Sequence, residues 1–117
     1  MRGGLVLFLV FLAGPAEAAK QTAAPNRFGA IAYHRASQAW GVSFDQERAR
    51  DAALEALRQC GHARCEIVVR LRNGCGAVAN GPRKFAAGRG ATREEAETKA
   101  LKGCGAGCDI VVWACTK

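Results

Sequence analysis

Gly29-Ala30-Ile31-Ala32 returns later in the chain as Gly76-Ala77-Val78-Ala79, and the pairing of these two stretches organises everything around them. Residues 29–71 lie over residues 76–114. Ala39-Trp40-Gly41 falls on Ala86-Ala87-Gly88, and Ala49, Ala53 and Leu54 fall on Ala96, Ala100 and Leu101. Further on, Cys60-Gly61 matches Cys104-Gly105, Cys65 matches Cys108, and Glu66-Ile67-Val68-Val69 matches Asp109-Ile110-Val111-Val112. The offset drifts from 47 to 43, as a first helix three residues longer and a first cysteine loop one residue longer would require.

Each copy reads as strand, turn, strand, helix, strand. Asn80-Gly81-Pro82 is a turn signal between two short strands of the second copy, and the polar stretch His34 to Gln38 occupies the same place in the first. Thr92-Arg93-Glu94-Glu95 has the spacing of a capping box, in which a hydroxyl satisfies free N–H groups of the first turn, and Asp45 stands at the matching place. This predicts helices over 45–59 and 92–102. Ala49, Ala52, Ala53, Ala56, Leu57 and Cys60 recur at helical spacing as one stripe of mostly small residues, which lets a helix lie close on a sheet. The β-branched runs Ile67 to Leu71 and Ile110 to Ala114 read as the closing strands. The expected fold is α+β: two ββαβ repeats, residues 28–72 and 75–115, forming a mixed, mainly antiparallel sheet with both helices on one face.

Ahead of the repeats, Arg2, an apolar run from Leu5 to Ala13, Gly14-Pro15 and Ala16-Glu17-Ala18 have the form of an export signal, residues 1–18. The run is about half of the roughly 20 residues that span a bilayer, and no second one follows, so no stable membrane insertion is expected after cleavage. Residues 19–27 are expected to be a flexible lead-in to one domain, residues 28–117. The location expected is secreted or periplasmic.

Six cysteines, Cys60, Cys65, Cys75, Cys104, Cys108 and Cys115, follow the export signal. An even count in an oxidising compartment predicts three disulfides, which a domain of this size uses to supplement a small core. Among the 15 possible pairings, the repeat favours Cys60–Cys65 and Cys104–Cys108, each tying a helix end to the next strand. Cys75 and Cys115 remain, at the start of one strand and the end of its antiparallel neighbour. Cys60-x-His62-x-x-Cys65 could ligate zinc in a cytosolic protein, but the spacings depart from the usual knuckle and export opposes it. No metal and no cofactor is expected.

The pattern of Gly-Ala-Ile-Ala, an Ala-rich helix, Cys-x4-Cys-x-Ile-Val-Val, Asn73-x-Cys75-Gly76-Ala77 and a closing Val-Trp-x-Cys resembles the bacterial exported domain-of-unknown-function family 4189. The resemblance covers nearly the whole chain beyond the export signal. It implies a small exported protein with no established catalytic residue. Lys84-Phe85-Ala86-Ala87 carries fewer aromatics than the second hairpin of that family typically does.

The net charge is +7, and its placement matters more than its total. Both predicted helices balance acids and bases, whereas the remaining segments hold Lys20, Arg27, Arg35, Arg64, Arg70, Arg72, Arg83, Lys84, Arg89 and Lys117 against Glu66 and Asp109. With both helices on one face, strand alternation sends Ile67, Val69, Leu71, Ile110 and Val112 toward them. It leaves Val68, Arg70, Arg72, Val111 and Trp113 on the other face, joined by Trp40, Phe85 and Arg89 through the hairpins. Trp40, Arg70, Arg72, Arg89 and Trp113 are therefore the candidate binding residues, because Arg and Trp are enriched where partners bind.

Catalytic material is sparse. His34 sits in a predicted turn and His62 inside a cysteine loop, and neither has an evident nucleophile or orienting acid. The function expected is a non-catalytic interaction module facing an unknown protein or an anionic envelope or host surface, with no nucleic-acid partner expected outside the cytoplasm. One alternative is a periplasmic inhibitor presenting the loop Cys60 to Cys65 or Asn80 to Lys84 to a secreted enzyme; the other is a small hydrolase using a histidine.

Overall fold

The computed structural model describes residues 25–117. The export signal at 1–18 and residues 19–24 of the expected lead-in lie outside the described residues. The rest of that lead-in is tied down: Asn73 accepts from the Arg27 N–H through Oδ1 (2.8 Å) and donates through Nδ2 to Asn26 Oδ1 (2.9 Å).

The strands are β1 (Phe28–His34), β2 (Ala39–Gln46), β3 (Glu66–Arg72), β4 (Cys75–Asn80), β5 (Phe85–Gly90) and β6 (Asp109–Cys115), and the helices are α1 (Ala49–Cys60) and α2 (Arg93–Cys104). The fold is α+β with two ββαβ repeats, as the sequence predicts. Its strands divide into two three-stranded antiparallel sheets, ordered β2-β1-β3 and β5-β4-β6, and not into the one sheet that strand alternation predicts. The sheets pack face to face through Ile31, Tyr33, Val69 and Leu71 of the first and Val78, Val112 and Ala114 of the second. Each sheet carries its own helix on the outside, so the layers run helix, sheet, sheet, helix. The residues of β1 and β4 explain why: Gly29 to Tyr33 and Cys75 to Ala79 are buried throughout, and a strand without polar residues on either side needs cover on both.

Small side chains set the helix-to-sheet distance. Ala30 and Ala32 pack against Ala52, Ala56 and Cys60, and Ala77 and Ala79 against Ala96, Ala100 and Cys104. The repeat places a glycine under each helix. A Cβ on Gly41 would collide with the backbone of Ala56 and Cys60, and one on Gly88 would sit 2.6 Å from Ala100 N and Ala96 O.

Two expectations change in detail. Both helices span 12 residues, and the buried stripes align Ala52 with Ala96 and Ala56 with Ala100. The helical correspondence is thus three residues away from the one that matches letters alone. The extra length of the first repeat lies between Gly41 and the start of α1, at the end of β2. Asp45 accordingly belongs to β2 and does not cap α1, whose N-cap Arg48 makes no side-chain cap. Thr92 does cap α2, accepting from Glu95 N at 3.2 Å, and Glu95 Oε1 accepts from Ala91 N at 2.9 Å.

The second change concerns which way the closing strands face. Ile31 pairs with Val69 but Ala32 pairs with Ile67, and Val78 pairs with Val112 but Ala79 with Ile110. Val68 and Val111 are therefore bulges, and a bulge reverses the alternation that follows it. Ile67 and Ile110 lie under the helices, while Val69, Leu71 and Val112 lie between the sheets.

The three disulfides are Cys60–Cys65, Cys75–Cys115 and Cys104–Cys108, and no described cysteine is free. Cys75 and Cys115 are direct partners across β4 and β6.

Candidate interaction site

The helix-free sheet face expected to carry the binding residues is the buried contact between the two sheets, so Trp40, Arg70, Arg72, Arg89 and Trp113 do not share one face. The duplicated frame sorts them to opposite sides of the sandwich. One side is formed by the outer edges of β3 and β5, the other by those of β2 and β6.

On the β3–β5 side the three arginines come together. Arg89 stands opposite Gly76, on the inner side of its sheet, and its Nη1 donates across the seam to the Arg70 carbonyl at 3.3 Å. Arg70 and Arg72 stand opposite Ala30 and Phe28, on the outer rim of β3. Two adjoining grooves result. One, of about 380 Å³, is lined by Val68, Arg70, Ala87 and Arg89 among others, and the second, of about 300 Å³, by Arg72, Asn73, Arg89 and Gly90 among others. Arg89 lines both, and neither is lined by a carboxylate. Every ion pair among the described residues is local to a helix or its N-cap: Arg48–Asp51, Arg58–Glu55, Arg93–Glu97 and Lys99–Glu95. The seam arginines have no such partner.

On the β2–β6 side the chemistry is aromatic. Val42, Phe44, Asp45 and Trp113 line a groove of about 350 Å³. Trp113 stands opposite Ala77 on the helix side of β6, and the Arg93 guanidinium lies 4.0 Å from its ring centroid, a cation–π contact between strand and helix. Trp40 pairs with Tyr33 and stays half-exposed on β2 outside that groove. Repeat correspondence makes the contrast sharp: Arg70 takes the place of Trp113, Arg89 that of Val42, and Ala87 that of Trp40.

His34 and His62 stack, ring centroids 4.2 Å apart, which their separation in sequence did not reveal. His34 Nδ1 contacts Ser37 Oγ at 2.7 Å, and Ser37 Oγ accepts from Ala39 N, so this serine closes its own turn. His62 Nδ1 accepts from Arg64 N at 3.0 Å. No carboxylate hydrogen-bonds either ring among the described residues, so the pair has no orienting acid of the kind hydrolytic catalysis uses. The described residues contain no group of three or more His, Cys, Asp and Glu side chains arranged to hold a metal ion. The loop candidates are braced. Arg35 donates to Asn80 Oδ1 (3.1 Å) and the Gly81 carbonyl (2.9 Å), holding the hairpin tips of the two repeats together.

Sequence reasoning missed the groove at Phe44 and Asp45 because both fall in the extra residues that lengthen β2, where the repeat offers no guide. The pKa of Asp45 is lowered from its ordinary value, chiefly because the Lys117 N–H and then the Thr116 hydroxyl hydrogen-bond its carboxylate.

The described residues thus form a duplicated α+β sandwich of two antiparallel sheets held by three disulfides. The chain belongs to the family of the domain of unknown function DUF4189, whose model matches residues 28–115. It is 41% identical over 88 residues to the uncharacterized protein Rv1813c of Mycobacterium tuberculosis, a match covering 75% of this chain and 59% of that protein, and so less than two thirds of its length. It is 36% identical over 92 residues to protein Rv1269c of the same organism, covering 79% of this chain and 72% of the other. The NMR structure of Rv1813c superposes with a TM-score of 0.62 at 40% identity, covering 76% of this chain and 74% of that one.

Proposed function

We propose that this protein is an exported, non-catalytic interaction module that engages its partner through the arginine seam between β3 and β5. The observation carrying this reading is the convergence of Arg70, Arg72 and Arg89 on two adjoining grooves without a carboxylate among the lining residues. The repeat adds weight, since the equivalent positions Trp113 and Val42 fold into the same frame without charge, so the fold itself does not require these arginines. Export is supported by the signal-like residues 1–18 and by three disulfides. No helix among the described residues is long and apolar enough to cross a membrane.

Retention of the oxidised domain on an isolated cell-envelope fraction tests the reading. Arg70→Ala/Arg72→Ala/Arg89→Ala should lose retention while melting within a few degrees of the parent. Undiminished retention would remove the seam from the account. Mass spectrometry of the exported chain should find its N-terminus just after Ala18 or Ala19.

A further inference from the structure

Resting on the seam reading, we infer that the ligand of the seam is a phosphodiester-linked polymer in which a polyol or sugar unit separates successive phosphates. The residue type points to oxyanions. A guanidinium presents a planar fork that matches two oxygens of a phosphate at once, and all three seam bases are Arg although Lys supplies equal charge elsewhere in the chain. Arg89 is held across the seam through one N–H to the Arg70 carbonyl, and its other N–H groups are exposed for a ligand.

The spacing selects among oxyanions. Arg70 and Arg72 are two residues apart on one strand, about 6.6 Å along it. That suits phosphates parted by a small organic unit better than the directly linked phosphates of an inorganic polyphosphate. The shape selects against a bilayer: the grooves are recessed between two sheet edges and follow the strands, so a linear chain enters them more readily than a planar headgroup surface does. Ala87, the inner-side neighbour of Arg89 on β5, has only a methyl to raise the groove wall, so the polymer backbone can approach the strand. The acids near the seam do not oppose this. Glu95, beside Gly90, is engaged by Lys99 and Ala91 N, and Glu66 stands at the far end of β3.

Titration of the oxidised domain with a glycerol-phosphate oligomer, over a series of salt concentrations, tests the inference. Three phosphate contacts to a flexible polyanion give a log–log salt slope of roughly −2, and the triple seam variant should lose that slope and bind about 30-fold more weakly. The control Arg64→Ala/Arg83→Ala/Lys84→Ala removes equal charge and should retain the slope. Equal loss in the control would overturn the proposal in favour of general attraction by net charge. Tighter binding to inorganic tripolyphosphate, or seam-dependent binding to anionic vesicles that exceeds binding to the oligomer, would overturn the polymer assignment. Failure of the oligomer to bind, with envelope retention still seam-dependent, would overturn this inference and leave the interaction module standing; loss of both would remove the seam as well.

Discussion

Asp45 and Thr116 close the sandwich reciprocally: Thr116 Oγ1 donates to Asp45 Oδ1 at 3.0 Å and accepts from Asp45 N at 2.7 Å, while Lys117 N donates to the same carboxylate oxygen at 3.0 Å. The end of β2 in the first sheet is thus fastened to the residues after β6 in the second. Asp45 adopts φ 55° to do it, in a left-handed conformation that Asp tolerates better than most residues. The same clasp fixes the floor of the aromatic groove, beside Phe44 and Trp113.

These hydrogen bonds favour the charged carboxylate, so its folded pKa lies below the unfolded one. A depressed carboxyl pKa contributes stability that is present above the unfolded pKa and lost as pH falls through the folded one. Asp45→Asn should therefore melt below the parent at neutral pH, and the gap should narrow as pH drops below 3.8, the ordinary value. A gap independent of pH would show that the carboxylate charge is not what the clasp uses.

Gly88→Ala should be among the most disruptive single substitutions. The new Cβ would meet α2 backbone atoms at 2.6 Å, and backbone cannot rotate aside as a side chain can. Overpacking of this kind costs about 1–3 kcal/mol, a fall in melting temperature of about 5–20 °C for a domain of this size. Thermal denaturation by circular dichroism measures it, and Gly103→Ala, which meets only Ala86 Cβ at 3.3 Å, is the milder comparison.

The disulfides should rank by the length of chain they close. Cys75–Cys115 spans 40 residues and Cys60–Cys65 only 5, so loop-closure entropy assigns about 4 kcal/mol to the first and about 2 kcal/mol to the second. Cys75→Ala/Cys115→Ala should accordingly lower the denaturation midpoint in urea about twice as far as Cys60→Ala/Cys65→Ala.

Tyr33 is buried between the sheets, edge-on to Phe85 at 5.3 Å, with a hydroxyl that has no hydrogen-bond partner among the described residues. Burial raises its pKa, so it stays protonated at neutral pH. A buried unsatisfied hydroxyl costs about 1–3 kcal/mol. Tyr33→Phe keeps the ring and should leave the melting temperature unchanged or raise it; a clear fall would reveal a partner for the hydroxyl.

What the sequence made legible was whatever the repeat registers. Cysteine pairing and element order follow from matching one copy to the other, and the Thr92 cap follows from its own Thr-x-x-Glu spacing. The helix-under-glycine contacts at Gly41 and Gly88 also belong to the matched positions. Information was lost where the copies diverge or where pairing, not composition, decides. Asp45 resembled an N-cap because nothing in a single strand shows that β2 runs on to Gln46 and that α1 starts only at Ala49. The bulges at Val68 and Val111 are invisible to alternation, since a bulged valine reads like any other. The single-sheet expectation could have been improved from β1 and β4, whose lack of any polar residue between Gly29 and Tyr33 and between Cys75 and Ala79 already demanded two covers. The arginines were found by type and by their place outside the helices, but their separation from Trp40 and Trp113 follows from sheet packing.

The most direct test of the account is an amide-shift map of the oxidised, isotope-labelled domain titrated with the glycerol-phosphate oligomer. The arginine seam predicts shifts confined to residues 68–74 and 87–91, with the Phe44–Trp113 groove silent. Shifts centred on Phe44 and Trp113, or spread evenly over Arg64, Arg83 and Lys84 as well, would contradict it.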